Sequence, residues 1–265
     1  MLSIFANLMK PTSNLEEVSQ DWVIETFAWA LQHFDSTVFQ QESQLILPTN
    51  SFYPGRVSSI HEMAQAIFDQ TLIYVGMQHW PLKLVAPENY QPDRLEVEQG
   101  LKFGFVDNMR GAKAKLKDKP SQAIQITYNP NQVNQPQDLV ASFVQVLAAI
   151  IISYTKKLPP GGEDCLPKAI DLVACFMGFG VMFANTAYQF KGGCGSCYNP
   201  YANRQAALNE NEVINVLALF SYLKNINIKQ VKPHLKSHLR GGFTQTYKYY
   251  QGAFKGKTHP LLIAL

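Results

Sequence analysis

The sequence predicts an α+β protein with a small sheet in the N-terminal half, residues 1–133, and a mainly helical C-terminal half, residues 134–265. The first observation is the run Leu139–Thr155, LVASFVQVLAAIIISYT, which carries no charge. Apolar side chains occupy nearly every face of this run, which is typical of a buried central helix. The second observation is that short strand-like segments precede the run, whereas longer helical patterns follow it. We therefore predict one domain of 265 residues organised around this helix.

The composition indicates a folded globular protein of mild charge. Apolar residues make up 46% of the chain and the formal net charge is +3, so neither global disorder nor a nucleic-acid partner is expected. The lysine-rich segment 113–119 is interpreted as a solvated loop. The first residues lack a signal-peptide pattern, and four cysteines are too few for a disulfide framework in a chain of this length. We expect a cytoplasmic protein with reduced thiols.

Two helices are predicted in the N-terminal half. The first covers residues 14–34 and has Asn14 as its cap. The second runs from about residue 59 to residue 77. It begins at Ser58 or Ser59, with Glu62 at the spacing of a capping box.

The remaining segments of this half are predicted to be extended. Residues 36–47 have extended character and end at Pro48. Segments 82–85, 101–106 and 123–128 have the composition of short strands. Together they would form a small sheet directly before the central helix.

Four helices are predicted in the C-terminal half. We expect Asn134 to cap the central helix, with Pro136 and Asp138 near its first turn. A long helix is expected from Cys165 to about Phe190, in which Gly178 and Gly180 allow a neighbouring helix to approach closely. The two remaining helices are predicted from their first residues: Asn209 caps one, and Pro233 opens the other, which ends near Tyr250.

The order of sheet, buried helix, Gly/Pro loop and second long helix resembles that of the zincin metallopeptidases. More specifically, the chain resembles a group of uncharacterised bacterial zincin-like proteins of the gluzincin type. The matching stretches are Leu139-Val140-Ala141, Leu147-Ala148, Asp171-Leu172, Gly178-Phe179-Gly180 and Ala184-Asn185. This resemblance implies a zincin-like fold. The alternative is that residues 139–155 are the core helix of an unrelated fold.

In active zincins the first helix carries H-E-x-x-H, whose two histidines bind zinc while the glutamate acts as general base. A glutamate on the next long helix is the third ligand in gluzincins. Laid on that pattern, the histidine positions of this chain are Gln145 and Ala149, the base position is Val146, and the third ligand position is Pro167. These side chains cannot form a zinc shell or accept the proton of a water molecule.

The resemblance therefore implies a catalytically inactive zincin homologue with a non-catalytic binding or structural role. Its partner would be an unknown protein or small molecule, and no cofactor is expected. Asp171 would be a remnant of the residues that support the metal ligands in active relatives. In this chain we expect it to cap backbone groups or to pair with Lys168.

Two alternatives remain open. Cys194 and Cys197 form a C-x-x-C motif that could bind metal or act as a redox pair. His234 and His238 are four residues apart on the predicted last helix, so the four side chains together could form a zinc site. The simpler interpretation is a pair of loop cysteines and two exposed histidines.

The second alternative is a membrane-embedded helical hairpin. Residues 139–155 and 172–190 are both uncharged. The first run is at the short limit for a span and contains Gln145, and the second contains Asn185 and Gln189. A membrane location is therefore not favoured.

Overall fold

A computed structural model describes residues 19–55, 59–90, 103–118, 120, 122–187 and 204–255. The protein is α+β and mainly helical, with a small parallel sheet of two strands. Within these residues the α-helices are α1 (Gln20–His33), α2 (Ser36–Gln41), α3 (Ile60–Val75), α4 (Pro136–Thr155), α5 (Leu166–Ala174), α6 (Gly180–Thr186), α7 (Glu210–Leu223), α8 (Ile228–Val231) and α9 (Leu239–Ala253). The strands are β1 (Leu82–Leu84) and β2 (Ile124–Ile126).

Short helical turns connect several of these elements. The 3₁₀ turns are Pro87–Asn89, Pro130–Gln132, Gly162–Cys165 and Lys232–His234. A π-helical turn, Cys175–Phe179, joins α5 to α6.

Helix α4 is the buried centre of the fold, as predicted. It packs against α3, α5 and α6, and Leu139, Val144 and Leu147 are fully buried. Asn134 is not its cap, however. The carbonyl of Gln135 accepts the N–H groups of residues 138 and 139 at 2.9 and 3.0 Å, so the helix begins directly after Gln135, with proline as its first residue.

The first predicted helix begins later than expected. Ser19 is the cap of α1, because its hydroxyl accepts the Trp22 N–H at 3.1 Å, while Asn14 lies outside the described residues. The prediction for α3 is confirmed: Ser59 and Glu62 form a reciprocal capping box.

The extended segment predicted over residues 36–47 is wrong in its first half, which forms α2. Asp35 adopts a left-handed conformation before this helix, with φ at 57°. Its carboxylate accepts the N–H groups of Met109 and Arg110 at 3.0 and 2.9 Å. These distant contacts set the direction of the chain, and α2 then buries Val38 and Phe39. Packing therefore overrides local strand propensity here.

The sheet contains two of the three predicted strands. β1 and β2 pair in parallel, with Leu82 opposite Ile124 and Leu84 opposite Ile126. Only part of the third predicted strand, 101–106, is described. There Phe105 forms an isolated antiparallel bridge with Leu116 instead of joining the sheet.

The long helix predicted over residues 165–190 is interrupted at Gly178, whose φ is 105°. A side-chain carbon at this position would lie 2.0 Å from the carbonyl oxygen of Gln44, so only glycine fits. Gly180 approaches α7, where a side-chain carbon would lie 2.9 Å from Leu217. The predicted close approach of a helix is confirmed at Gly180, whereas at Gly178 the close neighbour is the non-helical segment that follows α2.

The last two predicted helices have different outcomes. Asn209 caps α7, as expected, and Glu212 completes a capping box with it. The final helix begins at Leu239 instead of Pro233, because the chain first makes a 3₁₀ turn and then extends at Leu235. The guanidinium of Arg240 binds the carbonyl of Leu235 at 2.9 Å and so closes this turn.

Two helical segments of the described chain, Pro136–Thr155 and Gly162–Thr186, are long and apolar enough to cross a membrane. In the most apolar 18-residue stretch of each segment, 72% and 94% of the residues are buried inside the fold. Burial against other helices accounts for this composition. Because the core helices of soluble proteins can be equally long and apolar, the two segments are weak evidence for a membrane span.

Candidate functional site

The four positions that the zincin pattern assigns to metal and base lie on α4 and α5. Gln145 and Ala149 are one turn apart on α4 and are 3% and 1% exposed, so both are buried in the fold. Val146 lies between them and is partly buried. Pro167 is in the first turn of α5, which packs against α4.

The buried amide of Gln145 is held by two partners. Its Nε2 group donates to Oδ1 of Asp171 at 2.7 Å and to the carbonyl of Gln205 at 2.9 Å. Both amide hydrogens are therefore used. The side chain joins α4 to α5 and to the segment that precedes α7.

Asp171 is fully buried on α5 and is the centre of these contacts. Its Oδ2 accepts the N–H groups of Ala207 and Leu208 at 2.8 and 3.1 Å, as well as Nη1 of Arg204 at 3.3 Å. Of the two expected roles, Asp171 has the first, because it binds these backbone groups, whereas Lys168 forms its buried ion pair with another acid. The Lys168 ammonium lies 2.8 Å from Oε1 of Glu212, and both of these side chains are buried.

Arg204 is the member of this buried arrangement that the sequence did not predict. Its side chain is 1% exposed and donates from Nε to the Thr186 hydroxyl at 2.9 Å and from Nη2 to the Phe183 carbonyl at 3.2 Å. The guanidinium also stacks 4.0 Å from the centre of the Phe183 ring. Two acids within largely apolar helices, Asp138 and Asp171, were the available signal, because a buried carboxylate requires a partner.

Asp138 connects the start of α4 to the same segment. Its carboxylate accepts the backbone N–H of Arg204 at 3.0 Å and Nε2 of Gln132 at 2.7 Å. Burial raises the pKa of Asp138, while these hydrogen bonds and the charge of Arg204 act in the opposite direction. Desolvation therefore disfavours the charged carboxylate, and the hydrogen-bond donors around it offset part of this cost.

We call Gln145, Asp171 and Arg204 the polar cluster. Every member is buried, and the guanidinium supplies a positive charge beside the carboxylate. A catalytic zinc centre needs several nitrogen or oxygen ligands and an open position for water. Across the described ranges, no group of three His, Cys, Asp or Glu side chains could hold a metal ion. The side chains of the polar cluster instead form hydrogen bonds and an ion pair with one another.

The remaining predicted ligands do not come together in the described residues. Cys194 and Cys197 lie outside the described residues. His234 is in a 3₁₀ turn, whereas His238 is the cap of α9, so they do not share a helical face as predicted. His238 lies 2.9 Å from Oε1 of Glu210, and its side chain is 55% exposed.

Comparison of the chain with family models, curated proteins and solved structures gives no match.

Proposed function

We propose that this chain is a catalytically inactive relative of the zincin metallopeptidases that binds a partner molecule without hydrolysing it. The polar cluster is the observation that carries the proposal. Gln145, at the first histidine position of the zincin pattern, binds Asp171, which is paired with the buried guanidinium of Arg204. An internal cation thus neighbours the carboxylate that would support a metal site in an active relative.

The chemistry at the other pattern positions supports the same proposal. Val146 and Ala149 end in hydrocarbon, so they neither bind zinc nor accept a proton from water. Pro167 has no ligand atom in its side chain. Hydrolysis through this site would require a metal, an activated water molecule and a base, and these residues supply no group for any of the three.

The test is the zinc content of the purified, untagged protein, measured by elemental analysis together with peptidase activity. We expect zinc well below one equivalent and no peptide hydrolysis. The matched variant Cys194→Ser separates the competing zinc site from the zincin positions. One zinc per chain that is lost in this variant would favour metal binding by the C-x-x-C motif.

A different outcome would overturn the proposal. One zinc per chain retained in Cys194→Ser, together with peptide hydrolysis, would mean that the ligand positions are assigned wrongly and that the chain is an enzyme. A protein that is recovered only from membranes, and only with detergent, would favour the helical hairpin instead.

A further inference from the structure

A pocket of about 560 Å³ opens at the N-terminal end of α4, and no member of the polar cluster is among its described lining residues. Its walls come from the loop before α3, one face of α3, the first turns of α4, and α6. The lining residues are Pro48, Thr49, Asn50, Tyr53, Pro54, Gly55, Met63, Ala66, Ile67, Gln70, Val133, Pro136, Gln137, Val140 and Met182. The volume is in the range of about 300–1,000 Å³ that small-molecule sites occupy.

The described lining of the pocket carries no charged side chain. None of the described residues around the pocket is an Asp, Glu, Lys, Arg or His. The one ionisable side chain is Tyr53, and burial raises its pKa, so its hydroxyl stays neutral. Ile67, Val140 and Met182 are buried apolar side chains in the lining. An ion would gain no counter-charge from these described residues, whereas apolar surface would be bound favourably.

Gln137 gives the pocket a positioned hydrogen-bond donor. Its Oε1 accepts Nδ2 of Asn185 at 2.9 Å. Asn185 is itself fixed, because it also donates to the His234 carbonyl and accepts the Lys236 N–H at 3.0 Å. The orientation of the Gln137 amide is thereby set, and Nε2 is the group left for a ligand, with no partner among the residues that the structure describes.

Tyr53 supplies an acceptor. The Thr71 hydroxyl donates to the Ile67 carbonyl at 2.6 Å, so its only hydrogen is used. The Tyr53 hydroxyl, 3.2 Å from the Thr71 oxygen, must therefore be the donor of that pair. Its own oxygen retains accepting capacity for a hydroxyl or amide of a ligand.

We propose that this pocket binds an uncharged, largely apolar small molecule that carries a carbonyl or similar acceptor for Gln137 Nε2. A hydroxyl or amide group on the same molecule would bind Tyr53. This proposal names the class of ligand for the proposed binding function. It rests on that function in one respect, namely that the ligand is bound and not chemically converted.

The test uses the full chain and Prodan, an uncharged fluorescent naphthyl ketone whose emission shifts in apolar surroundings. We expect saturable binding to the unmodified protein. Ala66→Trp places a large ring in the pocket from an exposed position of α3 and should abolish the saturable emission shift. Ile73→Trp, on the same helix, 54% exposed and outside the lining, is the matched control and should bind like the unmodified chain.

A second variant tests the donor. Gln137→Leu should weaken Prodan binding about fivefold, the loss expected for one neutral hydrogen bond. Dimethylnaphthylamine, which has no ketone, should bind both proteins equally. Circular dichroism checks folding of every variant, and Asn50→Trp, in the loop that lines the pocket, replaces Ala66→Trp if the latter does not fold.

Absence of saturable Prodan binding to the unmodified chain would overturn the inference. So would equal binding by Ala66→Trp and Ile73→Trp, since the probe would then sit elsewhere. Either result leaves the zinc test of the proposed function unaffected. Conversely, stoichiometric zinc with peptide hydrolysis would overturn the proposed function even if Prodan fills the pocket.

Discussion

The middle and the beginning of α4 differ in whether open space adjoins their polar side chains. In the middle, Gln145 spends both amide hydrogens on Asp171 and Gln205, and Arg204 completes the polar cluster. At the beginning, Gln137 and Val140 border an open pocket. The two regions are separated by roughly 8–12 Å along the helix axis.

We infer from this difference that the middle of α4 contributes to stability, whereas its beginning is available for binding. A polar group that is buried against internal partners contributes to the structure, and its burial keeps a ligand from reaching it. A positioned amide beside empty apolar space can still bind one. The location at which the zincin pattern would place chemistry is therefore closed, and the available space lies about two turns away on the same helix.

The largest predicted effect is on the polar cluster. Asp171→Ala leaves the guanidinium of Arg204 buried without its counter-charge, so we expect a loss of about 3–5 kcal/mol in the free energy of unfolding, measured with urea. The control is Asp69→Ala on α3, where an exposed carboxylate accepts a hydrogen bond from Gln65 and the loss should stay within about 0.5 kcal/mol. Equal losses in the two variants would mean that the cluster does not stabilise the fold.

Contacts between residues that are close along the chain could be predicted from the sequence, whereas contacts between distant residues could not. The capping boxes of α3 and α7 were predictable because their members are three residues apart. The contact between Arg204 and Asp171 joins residues 33 apart, and Asp35, which sets the start of α2, binds residues 74 and 75 positions away. No local pattern marks such pairs.

The pocket was unpredictable for the same reason. It requires the loop at residues 48–55, one face of α3, the first turns of α4 and Met182 to meet. The burial of α4 was predictable because uniform apolar composition is a property of the helix itself. Where the space around that helix remains unfilled depends on side chains from all four segments.

A second prediction compares valines one turn apart on α4. Val144 is fully buried in the core, so Val144→Ala should cost about 2 kcal/mol of unfolding free energy. Val140 lines the pocket, and fewer packing contacts are lost on its truncation, so Val140→Ala should cost about 1 kcal/mol. Urea unfolding of both variants measures the difference. A larger loss for Val140→Ala would mean that the pocket is closed in solution.

A smaller effect concerns pH and Asp138. Because burial raises the pKa of Asp138 above its ordinary value of 3.8, the folded state binds more protons than the unfolded state just above that pH. Stability from this group is thus present below pH 3.8 and is lost as pH rises through the raised pKa. The unmodified chain should lose stability relative to Asp138→Asn over this window in urea titrations. A difference that grows in the opposite direction would contradict the assignment.

The most direct test of the account is a double-mutant cycle on the polar cluster with Asp171→Asn and Arg204→Met. Each single change leaves its partner buried without the original ion pair, whereas the double variant removes both charges. We predict that the double variant loses less unfolding free energy than the sum of the single variants, by about 1–3 kcal/mol. Additive losses, within about 0.5 kcal/mol, would show that Arg204 and Asp171 are not coupled and that an internal cation does not close this site.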